Sequence, residues 1–121
     1  MPVGIYVRVS TEEQSRGYSP EVQREECIQY CIRKGFQWRV YEDIESGVEV
    51  ERKGFVELRR AVEEGEISGV VVWRFDRLSR DFLQAMDFLA LLKRYGCFLH
   101  SVREGEINLS GGVEDFIRLI T

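Results

Sequence analysis

The sequence predicts an α/β protein built on a mostly parallel sheet, and three observations carry that prediction. Segments of strand character alternate with segments of helical periodicity, strand, helix, strand, helix, strand, helix, strand, along 121 residues. Gly69-Val70-Val71-Val72-Trp73 is a continuous apolar run, as expected of a strand covered on both faces in a parallel sheet. Glycines at 35, 65 and 96 close the three helical segments. Right-handed crossovers then bring the carboxyl ends of successive strands to one rim, where such folds bind ligands. The expected architecture is three layers: four strands, a possible short antiparallel edge strand, and helices on both faces.

Gly4-Ile5-Tyr6-Val7 are β-formers, so a first strand is expected over residues 3–9, ending in Arg8 and Ser10. Residues 11–18 are polar, contain Gly17 and read as a loop. Ser19-Pro20-Glu21 marks a helix start, with Ser as N-cap, Pro at the first helical position and an acid in the first turn. Val22, Cys27, Ile28, Cys31 and Ile32 supply its apolar stripe, and Lys34-Gly35 ends it. Residues 36–41 alternate and give a second strand that stops near Asp43. Residues 44–53, with Ser46-Gly47 and three acids, read as a mobile loop that carries Arg52 and holds it away from Ser10 in the unbound protein. Phe55, Leu58 and Val62 fall at i, i+3, i+7 and predict a helix over 54–64. After the third strand, Asp81 caps a helix over 82–95 that is apolar on more than one side. Residues 97–102 form the fourth strand, and 106–109 a short edge strand. Ser110-Gly111-Gly112 breaks the pattern before an amphipathic helix begins at Val113.

One domain with a real core fits this length, and no apolar run approaches a membrane span. Cys27, Cys31 and Cys97 are odd in number and scattered. They read as small core residues in a reducing cytoplasm rather than a disulfide framework or a zinc site. His100, the only histidine, reads as an ordinary strand residue. The net charge of −4 argues against a free-standing nucleic-acid binder. The 17 basic residues are nonetheless 14 Arg and only 3 Lys, and the planar guanidinium suits bidentate contact with phosphate.

Chemistry gathers on the predicted rim. The first strand delivers Arg8 and Ser10, the second Asp43, the following loop Arg52, and the third strand Asp76 and Arg77 with Arg80 beyond. A serine oxygen attacking a phosphodiester creates a pentacoordinate state whose growing negative charge needs preorganised donors. Several arginines meet that need without a metal cage. The aspartates have two possible jobs, proton transfer or holding an arginine fork in place, and the second is favoured because a carboxylate among arginines stays ionised and is a poor acid.

Four stretches together resemble the serine site-specific recombinases, the resolvase/invertase family. Tyr6-Val7-Arg8-Val9-Ser10 is similar to the nucleophile motif, and Gly17-Tyr18-Ser19 followed by Gln23 to the helix-entry motif. Asp43, Ser46-Gly47 and Arg52-Lys53-Gly54-Phe55 resemble the mobile-loop motif, and Asp76-Arg77-Leu78-Ser79-Arg80-Asp81 the arginine motif. The resemblance covers essentially the whole chain and implies a resolvase-like catalytic domain over 1–110. Residues 111–121 would begin a long dimerisation helix that is truncated here, and the DNA-binding domain would be absent from this chain. It further implies that Ser10 attacks a DNA phosphodiester, forming a 5′-phosphoserine link and a free 3′-hydroxyl. Four subunits then exchange and rejoin the ends without metal, ATP or other cofactor. Arg8, Arg52, Arg77 and Arg80 would contact the scissile phosphate, while Gln23, Asp43 and Asp76 order that cluster. Implied partners are double-stranded DNA and further copies, as homodimer and tetramer, in the cytoplasm of a prokaryotic cell or as a product of a mobile element or phage. The spacing from Ser10 to Gln23 resembles the large serine recombinases, the integrases and transposases. Residues 1–121 alone are expected to bind DNA weakly and not to recombine.

Two other readings fit parts of the pattern. In a receiver-like signalling domain Asp76 would accept a phosphoryl group with magnesium, but such a site needs clustered acids at the end of the first strand, where Arg8 and Ser10 stand. A non-catalytic regulator could keep the fold and lose the chemistry, against which stand an intact Ser10 and a full arginine set. A nucleotide-binding enzyme is disfavoured, since neither phosphate-loop nor dinucleotide fingerprint occurs.

Overall fold

The computed structural model describes residues 1–45, 52–79 and 81–110. Its elements are β1 (Val3–Ser10), α1 (Thr11–Ser15), α2 (Pro20–Lys34), β2 (Trp38–Glu45), α3 (Lys53–Glu63), β3 (Gly69–Val72), a 3-10 turn (Phe75–Arg77), α4 (Phe82–Arg94), β4 (Phe98–Ser101) and β5 (Gly105–Ile107). The five strands lie in the order β2-β1-β3-β4-β5. The first three pairings are parallel, and β5 runs antiparallel to β4. The predicted α/β class and edge strand are therefore found.

Two apolar clusters make the layers. Val3, Ile5 and Val7 of β1 pack with Cys27, Tyr30 and Cys31 of α2 and with Val71 and Trp73. On the other face Tyr6, Val70, Val72 and Leu99 pack with Phe55, Leu58 and Val62 of α3 and Phe88, Leu89 and Leu92 of α4. Alternation of β1 side chains between the two clusters is the period-two geometry of a strand. Each buried Leu, Val or Phe contributes roughly 1.5–3 kcal/mol. All three cysteines are free and buried. His100 sits on β4, where its Nδ1 pairs with the Tyr30 hydroxyl at 2.8 Å.

The chain reverses its direction of travel across the sheet at β1. Strand β2 is added on one side of it, and β3 and β4 on the other. The crevice beyond the carboxyl ends of β1 and β3 is thus a topological switch point. Pairing of β1 with β3 ends at Tyr6 opposite Val72, whereas pairing with β2 continues through Arg8 opposite Asp43 to Ser10 opposite Glu45. Arg8 and Ser10 therefore overhang the end of β3.

Several expectations are corrected. Residues 11–15 form helix α1 rather than loop: Ser10 caps it through its side chain, and Glu13 returns a bond to the Ser10 amide. The Ser-x-x-Glu spacing is that of a capping box. Strand β2 starts at Trp38 and runs on to Glu45, because it pairs along the whole of β1, so Ile44 and Glu45 belong to the strand. Helix α2 begins and ends where predicted, with the Ser19 hydroxyl accepting from the Val22 amide and Gly35 left-handed at φ 76°. Its buried stripe is Gln23, Cys27, Tyr30 and Cys31, while Val22 and Ile32 are 49% and 55% exposed. Helix α4 buries one face, and Phe82, Leu83 and Tyr95 lie on its open side. The helix expected from Val113 lies outside the described residues.

Candidate active site

Ser10 is the last residue of β1 and the N-cap of α1, half-buried at the rim. Its Oγ accepts the Glu13 amide at 3.0 Å, and its own amide donates to Glu13 Oε1 at 2.9 Å. These bonds fix the hydroxyl oxygen without consuming its proton.

Arg8, two residues earlier on the same face, is 1% exposed. Its Nε donates to the Arg77 carbonyl at 3.2 Å and its Nη2 to the Asp76 carbonyl at 2.8 Å. Arg77 reciprocates: its Nη1 donates to the Arg8 carbonyl at 3.1 Å. The two arginines form a clasp between the overhang of β1 and the 3-10 turn after β3. Arg77 also donates through Nε to Asp76 Oδ1 at 3.2 Å and pairs through Nη2 with Glu13 Oε2 at 2.7 Å. The Nη1 of Arg8 makes no hydrogen bond and faces Glu45 Oε2 at 3.7 Å. The turn itself is held by Glu104, whose carboxylate accepts the Phe75 amide at 2.8 Å and the Ser101 hydroxyl at 2.6 Å. A cleft of about 250 Å³ opens beside the clasp, lined by Arg8, Phe75, Asp76, Arg77, Ser79 and Phe82 among others.

The electrostatics follow from this packing. Burial lowers the Arg8 pKa and the Arg77 charge lowers it further, against the opposing pull of Glu45 and Glu13. For Arg77 burial acts the same way but is outweighed by Glu13 and Asp76, so its pKa is raised. Burial alone would raise Glu13, but the Arg77 hydrogen bond, the Ser10 amide and the nearby cations bring it down to about 2. Glu13 is thus ionised at neutral pH and only a weak base toward Ser10.

Asp43 and Arg52 form a second assembly. Arg52 is the N-cap of α3 and offers that helix no side-chain cap. Asp43 of β2 supplies it from across the fold: Oδ1 accepts the Gly54 amide at 2.8 Å, and Oδ2 accepts the Phe55 amide at 2.9 Å and the Tyr6 hydroxyl at 2.6 Å. Gly54 permits the approach, since a Cβ there would lie 2.5 Å from the Glu42 carbonyl oxygen. Burial, then the bond to Asp43, raises the Tyr6 pKa, so the phenol keeps its proton. Arg52 stacks on Phe55 at 3.9 Å from the ring centroid. Its guanidinium donates to the Tyr6 hydroxyl at 3.1 Å, to Gln84 Oε1 at 2.9 Å and to the Leu78 carbonyl. Arg52 is therefore anchored at a helix start rather than carried on a loop tip, and none of these bonds reaches Ser10.

The structure thus brings Ser10, Arg8, Asp76 and Arg77 together and joins Asp43 to Arg52 through Tyr6. Gln23 is fully buried with neither amide atom hydrogen-bonded, so no bond links it to the cluster. Arg80 lies outside the described residues. Sequence reasoning overlooked Glu13, although its spacing from Ser10 announces a capping box. It also gave no role to Tyr6, Glu45 or Glu104, whose partners are 29 or more residues away or across a turn and leave no local signal. The receiver reading fails on this geometry, because Asp76 is flanked by Arg74 at 3.3 Å and Arg77 at 3.2 Å, not by further acids.

The sequence model of "Resolvase, N terminal domain" matches residues 3–120. A candidate resolvase, L103 of Acanthamoeba polyphaga mimivirus, is 32% identical over 84 residues, covering 69% of this chain and 41% of that protein. The chain thus spans less than half the length of this relative. The N-terminal catalytic domain of TP901-1 integrase superposes with TM-score 0.76 at 27% identity, over 99% of this chain and 89% of that one. A resolvase family site-specific recombinase from Streptococcus pneumoniae superposes with TM-score 0.78 at 28% identity, over 99% and 83%. A serine at a sheet's switch point beside interlocked arginines, inside a fold shared along its full length with recombinase catalytic domains, places this chain in the resolvase family as a serine recombinase catalytic domain.

Proposed function

We propose that the protein containing this domain cuts and rejoins DNA at specific sites, with Ser10 as the nucleophile. The observation that supports this most is the position of the Ser10 hydroxyl, held at the end of β1 next to the Arg8–Arg77 clasp. In cleavage, the Ser10 Oγ–P bond forms and the P–O3′ bond breaks. The hydroxyl proton leaves, the 3′ oxygen takes up a proton, and the 5′ end stays on Ser10 as a phosphodiester. Rejoining is the reverse attack by a 3′-hydroxyl. One phosphodiester replaces another at each step, so ATP is not needed to drive it. Arg8, Arg52, Arg77 and Arg80 serve as donors to the phosphate oxygens, and Asp43 and Asp76 hold Arg52 and Arg77. Gln23 acts with them only after a rearrangement that gives its buried amide a partner.

The complete protein acts on double-stranded DNA as a dimer that assembles into a tetramer. It belongs to the large serine recombinase type and works in the cytoplasm of a cell hosting a mobile element. Residues 1–110 carry the chemistry and 111–121 begin the dimerisation helix. Among the described residues no helix is long and apolar enough to cross a membrane.

The test uses the complete native protein in its own cells. The lysate is denatured, and the isolated protein is digested and searched by mass spectrometry for nucleotide joined to Ser10. Adduct on Ser10 that disappears in Ser10→Ala is the expected result. A full-length protein that recombines its DNA in cells with Ser10→Ala in place would refute the assignment.

A further inference from the structure

Three carboxylates face the two clasped guanidinium groups, and one of them differs in how it is held. Asp76 is adjacent to Arg77 in the chain, and Glu45 is buried on β2. Glu13 stands on α1, a helix of five residues with none buried. One of its oxygens accepts the Ser10 amide at 2.9 Å and the other pairs with Arg77 Nη2 at 2.7 Å. A single anionic group therefore bridges the nucleophile's own residue and a rim arginine.

We propose that Glu13 is an internal stand-in for the phosphodiester: without DNA its carboxylate holds Ser10 and Arg77 together, and a phosphate must take its place to reach Arg77. This rests on the reading of Ser10 and Arg77 as a phosphodiester site. The three guanidinium nitrogens of Arg77 are not equivalent. Nε is bonded to Asp76 and Nη1 to the Arg8 carbonyl, and these bonds keep Arg77 in the clasp. The Nη2 partner alone is a carboxylate on a short surface helix, so that bond can be exchanged while the clasp stays closed. A phosphodiester carries the same single negative charge as a carboxylate. If it arrived with Glu13 still in place, a fourth anion would join three that are balanced by Arg8, Arg77 and, at Asp76, Arg74. If Glu13 swings out, the local charge is unchanged and the strong bond to Arg77 is re-formed with the phosphate. No covalent bond changes in this exchange.

The competing role for Glu13 is a helix cap and nothing more. A capping box accepts Glu or Gln at this position, so Glu13→Gln keeps the cap and removes the charge. The experiment titrates the unaltered chain, Glu13→Gln and Glu13→Ala with dimethyl phosphate, the smallest phosphodiester, and follows the Ser10 amide and the Arg77 side chain by NMR. Both variants are expected to bind about tenfold more tightly than the unaltered chain, which is the effect of one charge-assisted hydrogen bond that no longer has to be displaced. The alanine variant carries the test if the glutamine variant does not fold. Equal affinity at Ser10 and Arg77 in all three chains would overturn the role of Glu13 and leave the phosphodiester site standing. No binding at those residues in any chain would overturn both.

Discussion

The two arginine assemblies at the rim are built in opposite ways. Arg8 and Arg77 reach into the protein and bond each other's backbone, so the sheet and the turn determine where their charges lie. Arg52 reaches across to β1, to the segment after β3 and to α4, and it mixes one backbone acceptor, the Leu78 carbonyl, with side-chain partners: the Tyr6 hydroxyl, Gln84 Oε1 and the Phe55 ring. A guanidinium bonded to backbone cannot move without the fold, whereas one bonded to side chains can change partners by rotamer alone. By this measure the clasp, with three backbone bonds, is the more fixed part of the site, and Arg52, with one backbone bond among several to side chains, the more adjustable.

Substitutions can break that contrast at graded cost. Arg8→Ala removes two donors to backbone carbonyls, one of them in a buried bond, and the cation facing Glu45. It should lower the unfolding free energy by about 3–5 kcal/mol, read from the urea midpoint; a change within experimental error would show that the clasp holds nothing together. Asp43→Ala strips α3 of its cap and leaves two backbone amides of its first turn without an acceptor. A loss of about 2 kcal/mol is expected, with faster hydrogen exchange at Gly54 and Phe55 as its local signature. Tyr6→Phe deletes the one hydroxyl that joins Asp43 to Arg52 and should cost about 1 kcal/mol. If the contrast is right, Arg52 changes its contacts in this variant while the Arg8–Arg77 bonds stay, which a crystal structure would decide. The contribution of Glu13 depends on pH. Its pKa falls from 4.5 to about 2 on folding, so its contribution is complete above pH 4.5 and is lost as the pH drops toward 2. Glu13→Gln should flatten that part of the acid unfolding curve, and an unchanged slope would mean that the Arg77 pair contributes nothing in solution.

The parts of this molecule that announce themselves in sequence are those with local causes. Ser19-Pro20 and Gly35 bound α2 because a cap and a left-handed exit are decided by neighbouring residues. Arg8 and Ser10 are legible as the end of a first strand, and they gain functional weight only together with the other three motif stretches. The function of Asp43 was not legible in the same way. A helix with Arg52 as its N-cap has no capping side chain of its own, and the residue that supplies one sits on a strand, eleven positions before the Gly54 amide it accepts. The stripe of α2 was misread for a related reason: Val22 and Ile32 are apolar but face outward, while the polar Gln23 faces in. Only the direction of approach of β1 and β3 decides between them. Glu13 is the instructive case, because its local signal was present and the segment was passed over as polar.

The overhang of β1 has a mechanical meaning. Beyond Tyr6 the strand is a cantilever, braced by β2 along one edge and tied on the other by the two arginines rather than by β3. In the reaction proposed above, a load at Ser10 would be passed into β2 and the clasp before it reached β3.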